Sequence, residues 1–142
     1  MNHALYHEAL VAKARSGIGK GRLTAPAASA RLDNPLCGDR VTIDISLADG
    51  SIQAVGHDVK GCLLCEAAAA AIAEWAPRKS PAAAKEMVGA MRRMMKEGAP
   101  SPEPGMAIFT PVQDAKSRRD CVLLPFEALE KALAGISAGE TP

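Results

Sequence analysis

Three short stretches of the chain carry residues suited to a soft metal or to activated sulfur. They are Asn34-Pro-Leu-Cys37-Gly-Asp39-Arg40, Gly61-Cys62-Leu-Leu-Cys65 and Arg119-Asp120-Cys121. Thiolates select zinc, Cu(I) or iron–sulfur centres, whereas hard cations take oxygen-only sites. Cys37, Asp39, Cys62 and Cys121 together make a four-ligand set, the number a tetrahedral thiolate site takes. Gly38 lets the chain bend so that Cys37 and Asp39 can reach one ion. A carboxylate in place of a fourth thiolate makes the site more labile, which suits a metal or cluster that must leave. Cys65, inside an apolar helix, reads equally as a small buried hydrophobe or as a further sulfur ligand.

For these stretches to meet, the elements between them must fold back on themselves. Val41, Ile43, Ile45 and Leu47 alternate with Thr42, Asp44 and Ser46, the period of a half-buried strand. Asp49-Gly50 supplies a tight hairpin turn, and Ile52 to Val59 returns antiparallel to it. The alternation slips near Ala54-Val55, which marks a bulge. Cys37 and Cys62 stand at equal distances on either side of the turn, so antiparallel pairing brings them to the same end of the sheet. Gly61 then opens an alanine-rich helix from about Cys62 to Trp75, with Cys62, Cys65, Ala69 and Ile72 on one face. A last helix, starting near Cys121, buries Val122, Phe126, Leu129, Leu133 and Ile136. With Cys62 and Cys121 both at helix N-termini, the helix dipole and free N–H groups would stabilise their thiolates.

The remaining segments frame this unit. Tyr6, Leu10 and Ala14 give residues 3–15 the pattern of a short docking helix stopped by Gly17. His3 and His7, four residues apart on it, read as a solvated face rather than as metal ligands. Residues 16–36 read as a flexible loop with a short strand over Ala28–Asp33. Ser80-Pro81 caps and starts a helix whose stripe is Ala84, Val88, Met91 and Met95. Met87, Met91, Met94 and Met95 read as adaptable core in preference to a partner groove. Gly98 to Gly105, with three prolines, predicts a long loop, and Phe109 to Val112 is expected to pack back on the core.

Composition narrows the function classes. The 142 residues fit one domain over 1–142 with a core that needs no disulfide. The net charge is +1 with charges spread along the chain, and the aromatics are only Tyr6, Trp75, Phe109 and Phe126. Neither an electrostatic footprint for nucleic acid or a membrane nor a base-stacking platform is present. With no leader pattern and no membrane-length apolar run, a cytoplasmic location is expected. There, four cysteines point to metal or sulfur chemistry rather than to disulfides.

In combination, Cys37-Gly-Asp39-Arg40, the hairpin, Gly61-Cys62 with its alanine-rich helix, and Cys121-x-x-Leu124-x-Phe126-x-Ala128-Leu129 resemble the iron–sulfur cluster assembly scaffold family. That family comprises the IscU and SufU proteins and the N-terminal domain of NifU. The resemblance runs from about Asn34 to Leu133, and the interval from Cys62 to Cys121 is similar to the longer SufU-type spacing. It implies an α+β fold, a small and mostly antiparallel three-stranded sheet with helices packed on one face. It also implies that Cys37, Asp39, Cys62 and Cys121 ligate a transient [2Fe–2S] cluster or a zinc ion. Sulfur would arrive as a persulfide from a cysteine desulfurase, with Cys121 or Cys37 as acceptor, and the cluster would pass to recipient apo iron–sulfur proteins. Such a protein is a scaffold or carrier, with zinc-dependent sulfur transfer as its nearest approach to enzyme activity.

The chain departs from the family pattern at three points. The residue before the last cysteine, His in IscU and Lys in many SufU members, is Asp120, which reads as a surface charge. Cys65 stands where a small non-thiol residue is usual, and it can be a ligand, a persulfide holder or a buried side chain. The Leu-Pro-Pro-Val-Lys segment of IscU that recruits an Hsp70 chaperone is absent. Two other functions stay open: a thiol–disulfide or persulfide relay through Cys62 and Cys65, and a structural zinc domain serving as a binding module.

Overall fold

The computed structural model describes residues 3–36 and 38–136, and Cys37 lies outside them. Helix α1 (His3–Arg15) precedes three strands, β1 (Ala28–Asn34), β2 (Asp39–Ala48) and β3 (Ser51–Lys60). Helices α2 (Leu63–Trp75) and α3 (Pro81–Glu97), a 3-10 segment (Pro104–Asp114) and helix α4 (Lys116–Ala134) follow. The sheet has the order β1-β2-β3 and is antiparallel throughout. The expected α+β class, with helices on one face, is what the chain adopts.

Local chemistry explains most of these boundaries. Asp49 and Gly50 both take positive φ, 54° and 78°, the requirement of a two-residue type I′ turn between Ala48 and Ser51. The pairing register shifts between Ser46 and Leu47, leaving Gln53 as the extra residue of a bulge beside Ala54. Ser80 caps α3 through its hydroxyl, which accepts from the Ala83 N–H at 3.0 Å, and Pro81 occupies the first helical position.

Period-two burial decides what the sheet shows the helices. Val41, Ile43 and Ile45 are fully buried on the inner face, against α4, while the alanine run of α2 packs beside β3. Asp39 is in phase with them, so the alternation that buries three apolar residues also turns this carboxylate inward at the end of the sheet. Small alanines at Ala67, Ala68 and Ala69 accompany close packing of α2. Ala84, Val88, Met91 and Met95 face the core from α3, joined by Met87 and Met94, so the methionine stripe is core. Phe109 and Val112 are buried too, and the proline-rich stretch resumes regular structure at Pro104. Gln113 fastens that stretch by donating from Nε2 to the carbonyls of Met94 (2.8 Å) and Ala99 (3.0 Å).

Two expectations are corrected. Residues 16–27 are not a free loop. Gly21 N–H donates to the His57 carbonyl and His57 N–H to that of Gly19, so the segment pairs with the edge of β3. It then crosses the outer face, where buried Asp44 accepts from Arg22 Nε (2.7 Å), Leu23 N–H (3.0 Å) and Ser29 Oγ (2.6 Å). A buried carboxylate needs such partners, and the strap supplies them together with Ser29 of β1. The last helix starts at Lys116 rather than near Cys121, and Pro125 sits inside it.

Candidate metal centre

Asp39 at the start of β2, Cys62 at the N-cap of α2 and Cys121 in the second turn of α4 converge at one end of the sheet. One carboxylate oxygen and the two sulfurs all lie within 4.8 Å of one another. A zinc ion about 2.3 Å from each sulfur places two thiolates about 3.8 Å apart. The three donors therefore need only a small contraction to share an ion, and their chemistry fits zinc or iron. Asp39 and Cys121 are buried, Cys62 is half-buried, and the three described cysteines are free thiols.

Local devices hold Asp39 and Cys62. The bulge at Gln53 shifts the pairing by one residue, so that Arg40 faces Lys60 and Asp39 comes level with Gly61. A side chain at Gly61 would stand 2.6 Å from Asp39 Oδ1 and 2.7 Å from its Cγ, so glycine is required for the carboxylate to lie there. Gly38 has φ of +76°, the left-handed bend expected just before Asp39. A shallow cleft of about 300 Å³, between Asn34-Pro35, Gly38–Arg40 and Lys60, opens beside the carboxylate.

Cys62 shows the expected thiolate character. Its thiol is lowered to about 6, first by the hydrogen bond from Cys65, against burial, and further by the Cys65 N–H, the Cys121 side chain and the Leu64 N–H. The sulfur closes no capping hydrogen bond of standard geometry, yet the N–H groups of the first turn face it. Cys121 does not share this advantage, being five residues inside α4, and tertiary packing alone brings it to the site.

Cys65 is completely buried beside these donors. Its Sγ lies 3.2 Å from Asp39 Oδ2 and 3.1 Å from the Cys121 carbonyl oxygen, both acceptors. The Cys62 hydrogen bond and burial push its thiol far up, with Asp39 adding to the shift. Cys65 is thus a protonated neighbour of the site, outside the group of three close donors. The contact of Cys65 with the Cys121 carbonyl has a covalent cause: Pro125, four residues on, has no N–H to donate back to that oxygen. Pro125 is the sequence signal that would have located this contact. Asp120 is exposed, consistent with a surface charge, and so is His7, while the His3 side chain lies outside the described residues.

Residues 6–138 match the family model described as the NifU-like N terminal domain. The chain belongs to that family. A crystal structure of the N-terminal part of a nitrogen-fixing NifU-like protein from Brucella abortus is similar, with 30% identity and a TM-score of 0.84. The likeness covers 92% of this chain and 93% of that one. A protein from Fervidobacterium islandicum AW-1, assigned to the SUF system as an iron–sulfur cluster assembly scaffold, is 26% identical with a TM-score of 0.81, over 94% and 99% of the two chains. A third structure, of a hypothetical protein, shares the fold at 20% identity and a TM-score of 0.83 over 94% and 99%. No curated protein matches the chain in sequence. The NifU-like family is one of iron–sulfur cluster assembly scaffolds, in accord with the resemblance carried by the cysteine motifs. Among the described residues, no helix is long and apolar enough to cross a membrane.

Proposed function

We propose that this chain holds a nascent [2Fe–2S] cluster as cargo, or a zinc ion in its place, on Cys37, Asp39, Cys62 and Cys121. The observation that carries the proposal is the convergence of Asp39, Cys62 and Cys121 within 4.8 Å on three separate elements. A thiol–disulfide relay through Cys62 and Cys65 has no need of Cys121, and a carboxylate turned inward beside two thiols is a donor set that suits a metal. Sulfur reaches the site from a cysteine desulfurase as persulfide, with Cys121 and Cys37 as candidate acceptors, and the product passes to apo iron–sulfur proteins. Where zinc occupies the site, sulfur transfer from the desulfurase is the corresponding activity. The site lies in a domain spanning the whole chain and works in the cytoplasm.

The test is anaerobic and aerobic purification, with iron, zinc and acid-labile sulfide measured alongside the visible spectrum. Desulfurase-coupled reconstitution should yield a cluster in wild type and little or none in Cys37→Ala, Asp39→Ala or Cys121→Ser. A wild-type protein without metal or cluster, and variants that behave like it, would refute the scaffold reading. Unfolding on chelation would instead support a structural zinc.

A further inference from the structure

The scaffold reading gives Cys65 no task, although it is fully buried against two of the proposed ligands. Its spacing from Cys62 is that of the N-cap and third residue of a helix, positions whose side chains face each other across the first turn. Cys62 is the half-buried partner and Cys65 the enclosed one, and the two side chains hydrogen-bond to each other. Cys65 also sits 3.2 Å from Asp39 Oδ2, an acceptor for its proton. An attacking sulfur, a target sulfur and a proton acceptor are therefore assembled in one place. A buried thiol with no other role would need only apolar neighbours.

Cluster assembly consumes sulfide, whereas a persulfide delivers sulfur at the oxidation level of the element. Two electrons per sulfur are required. We propose that Cys65 is a resolving thiol that reduces a persulfide on Cys62 to sulfide inside the assembly site. This rests on the scaffold reading and adds a reductive step to it. Sulfane sulfur reaches Cys62 directly or by transfer from Cys121 or Cys37. The Cys65 sulfur attacks Sγ of the Cys62 persulfide, forming the Cys62–Cys65 bond and breaking the bond between Sγ and the outer sulfur. Asp39 takes the Cys65 proton and returns it to the departing hydrosulfide. The Cys62 persulfide and the Cys65 thiol thus become the Cys62–Cys65 disulfide and one molecule of hydrogen sulfide. Both thiols are oxidised, the outer sulfur is reduced, and no other oxidant or reductant takes part. A dithiol reductant then reopens the disulfide and restores Cys62 as a ligand.

The test uses the full chain, metal-free and anaerobic, treated with inorganic polysulfide and desalted without any added thiol. Cys62 and Cys65 share the tryptic peptide Gly61–Arg78, so mass spectrometry reads both outcomes on one fragment. Wild type should release sulfide while that peptide loses two hydrogens. Cys65→Ser and Cys65→Ala should retain one extra sulfur on Cys62 and release sulfide roughly tenfold more slowly or worse, because an intramolecular partner at high effective concentration is gone. A wild-type peptide that keeps the extra sulfur, a disulfide from Cys62 to Cys121 or Cys37 instead, or variants that release sulfide at the wild-type rate would overturn the proposal. The wild-type result stands whether or not the variants fold. Zinc titration of the same samples separates the two readings. Wild type that binds zinc but retains persulfide refutes the resolving step alone, and wild type that binds neither zinc nor cluster refutes the scaffold.

Discussion

Gly61→Ala adds one methyl group at the place where the fold has left room for a carboxylate. Its Cβ would lie 2.6 Å from Asp39 Oδ1, 2.7 Å from Cγ and 3.0 Å from Cβ. Ordinary contact begins near ~3.5 Å, so the carboxyl group must retreat by roughly 0.5–1 Å or rotate away. Either motion carries it out of the group it forms with Cys62 and Cys121 and off the Cys65 thiol at 3.2 Å. The φ of Gly61 lies outside the left-handed region, so the cost falls on Asp39 and not on the backbone. Disturbing what orients a ligand costs about 10–100-fold in metal affinity, equivalent to about 1.4–2.7 kcal/mol. Zinc competition against a chromophoric chelator reads the affinity, and a thermal melt of the metal-free protein reads the overpacking, typically about 1–3 kcal/mol. In Gly61→Ala/Asp39→Ala the clash with Oδ1 and Cγ is gone. The two substitutions should therefore be non-additive in both assays. Zinc affinity within about twofold of wild type in Gly61→Ala, a difference below about 0.5 kcal/mol, would refute the reasoning and remove Asp39 from the site.

Cys62 of the metal-free protein should be the first described cysteine to react with iodoacetamide at neutral pH. Its rate should have a midpoint near the value of about 6 that the Cys65 hydrogen bond sets, and Cys65→Ala should move that midpoint upward. His57 is held below its usual value by burial, against the carbonyl of Ile18, which accepts from Nε2 at 2.8 Å, while Nδ1 is buried without a partner. Since the unfolded chain takes up this proton more readily, stability should be complete above pH ~6.5 and fall as the pH drops toward the folded value. Melts across that range should show less of this loss in His57→Gln. Arg22→Ala leaves the buried Asp44 carboxylate with only the Leu23 N–H and the Ser29 hydroxyl, and should lower the midpoint of denaturant unfolding. Hydrogen exchange at the Leu23 N–H should accelerate with it. Burial raises Asp44, but the bonds from Arg22, Ser29 and Leu23 outweigh it and leave the carboxyl below its ordinary value. That contribution should accordingly be present at neutral pH and vanish as the pH falls through the folded value.

Much of the architecture was legible because it is written in neighbouring residues. The Asp49-Gly50 turn, the bulge beside Ala54, the Ser80-Pro81 helix start and the alanine helix behind Cys62 depend on backbone preferences within a few positions. The thiolate character of Cys62 belongs with them, since its own helix supplies both the Cys65 thiol that chiefly lowers it and the N–H groups that face it. The start of α4 was misplaced for the same kind of reason. Lys116-Ser-Arg-Arg lacks a capping signal and is polar throughout, so the apolar period beginning at Val122 is the marker. The strap over Asp44 is hidden because Arg22 meets it across 22 positions of sequence, and the glycine-rich run just before Arg22 suggests only a loop.

What the amino-acid sequence determined by itself is the inventory of donors and the end of the sheet to which Cys62 and the Asp39 stretch must come. Hairpin pairing is a geometric constraint that counts residues, and counting needs no packing. What only the tertiary structure decided is how those donors touch. Asp39 turns inward with Val41 because it is in phase with the face that the helices cover, and it fits because Gly61 leaves room once the bulge has shifted the register. Cys121 arrives through the docking of α4 on the sheet and α2, and the gap left by Pro125 lets its carbonyl meet Cys65. These are contacts at distances of 22 to 82 residues along the chain. Local preference is silent about such contacts, and close packing of a shared core is what sets them.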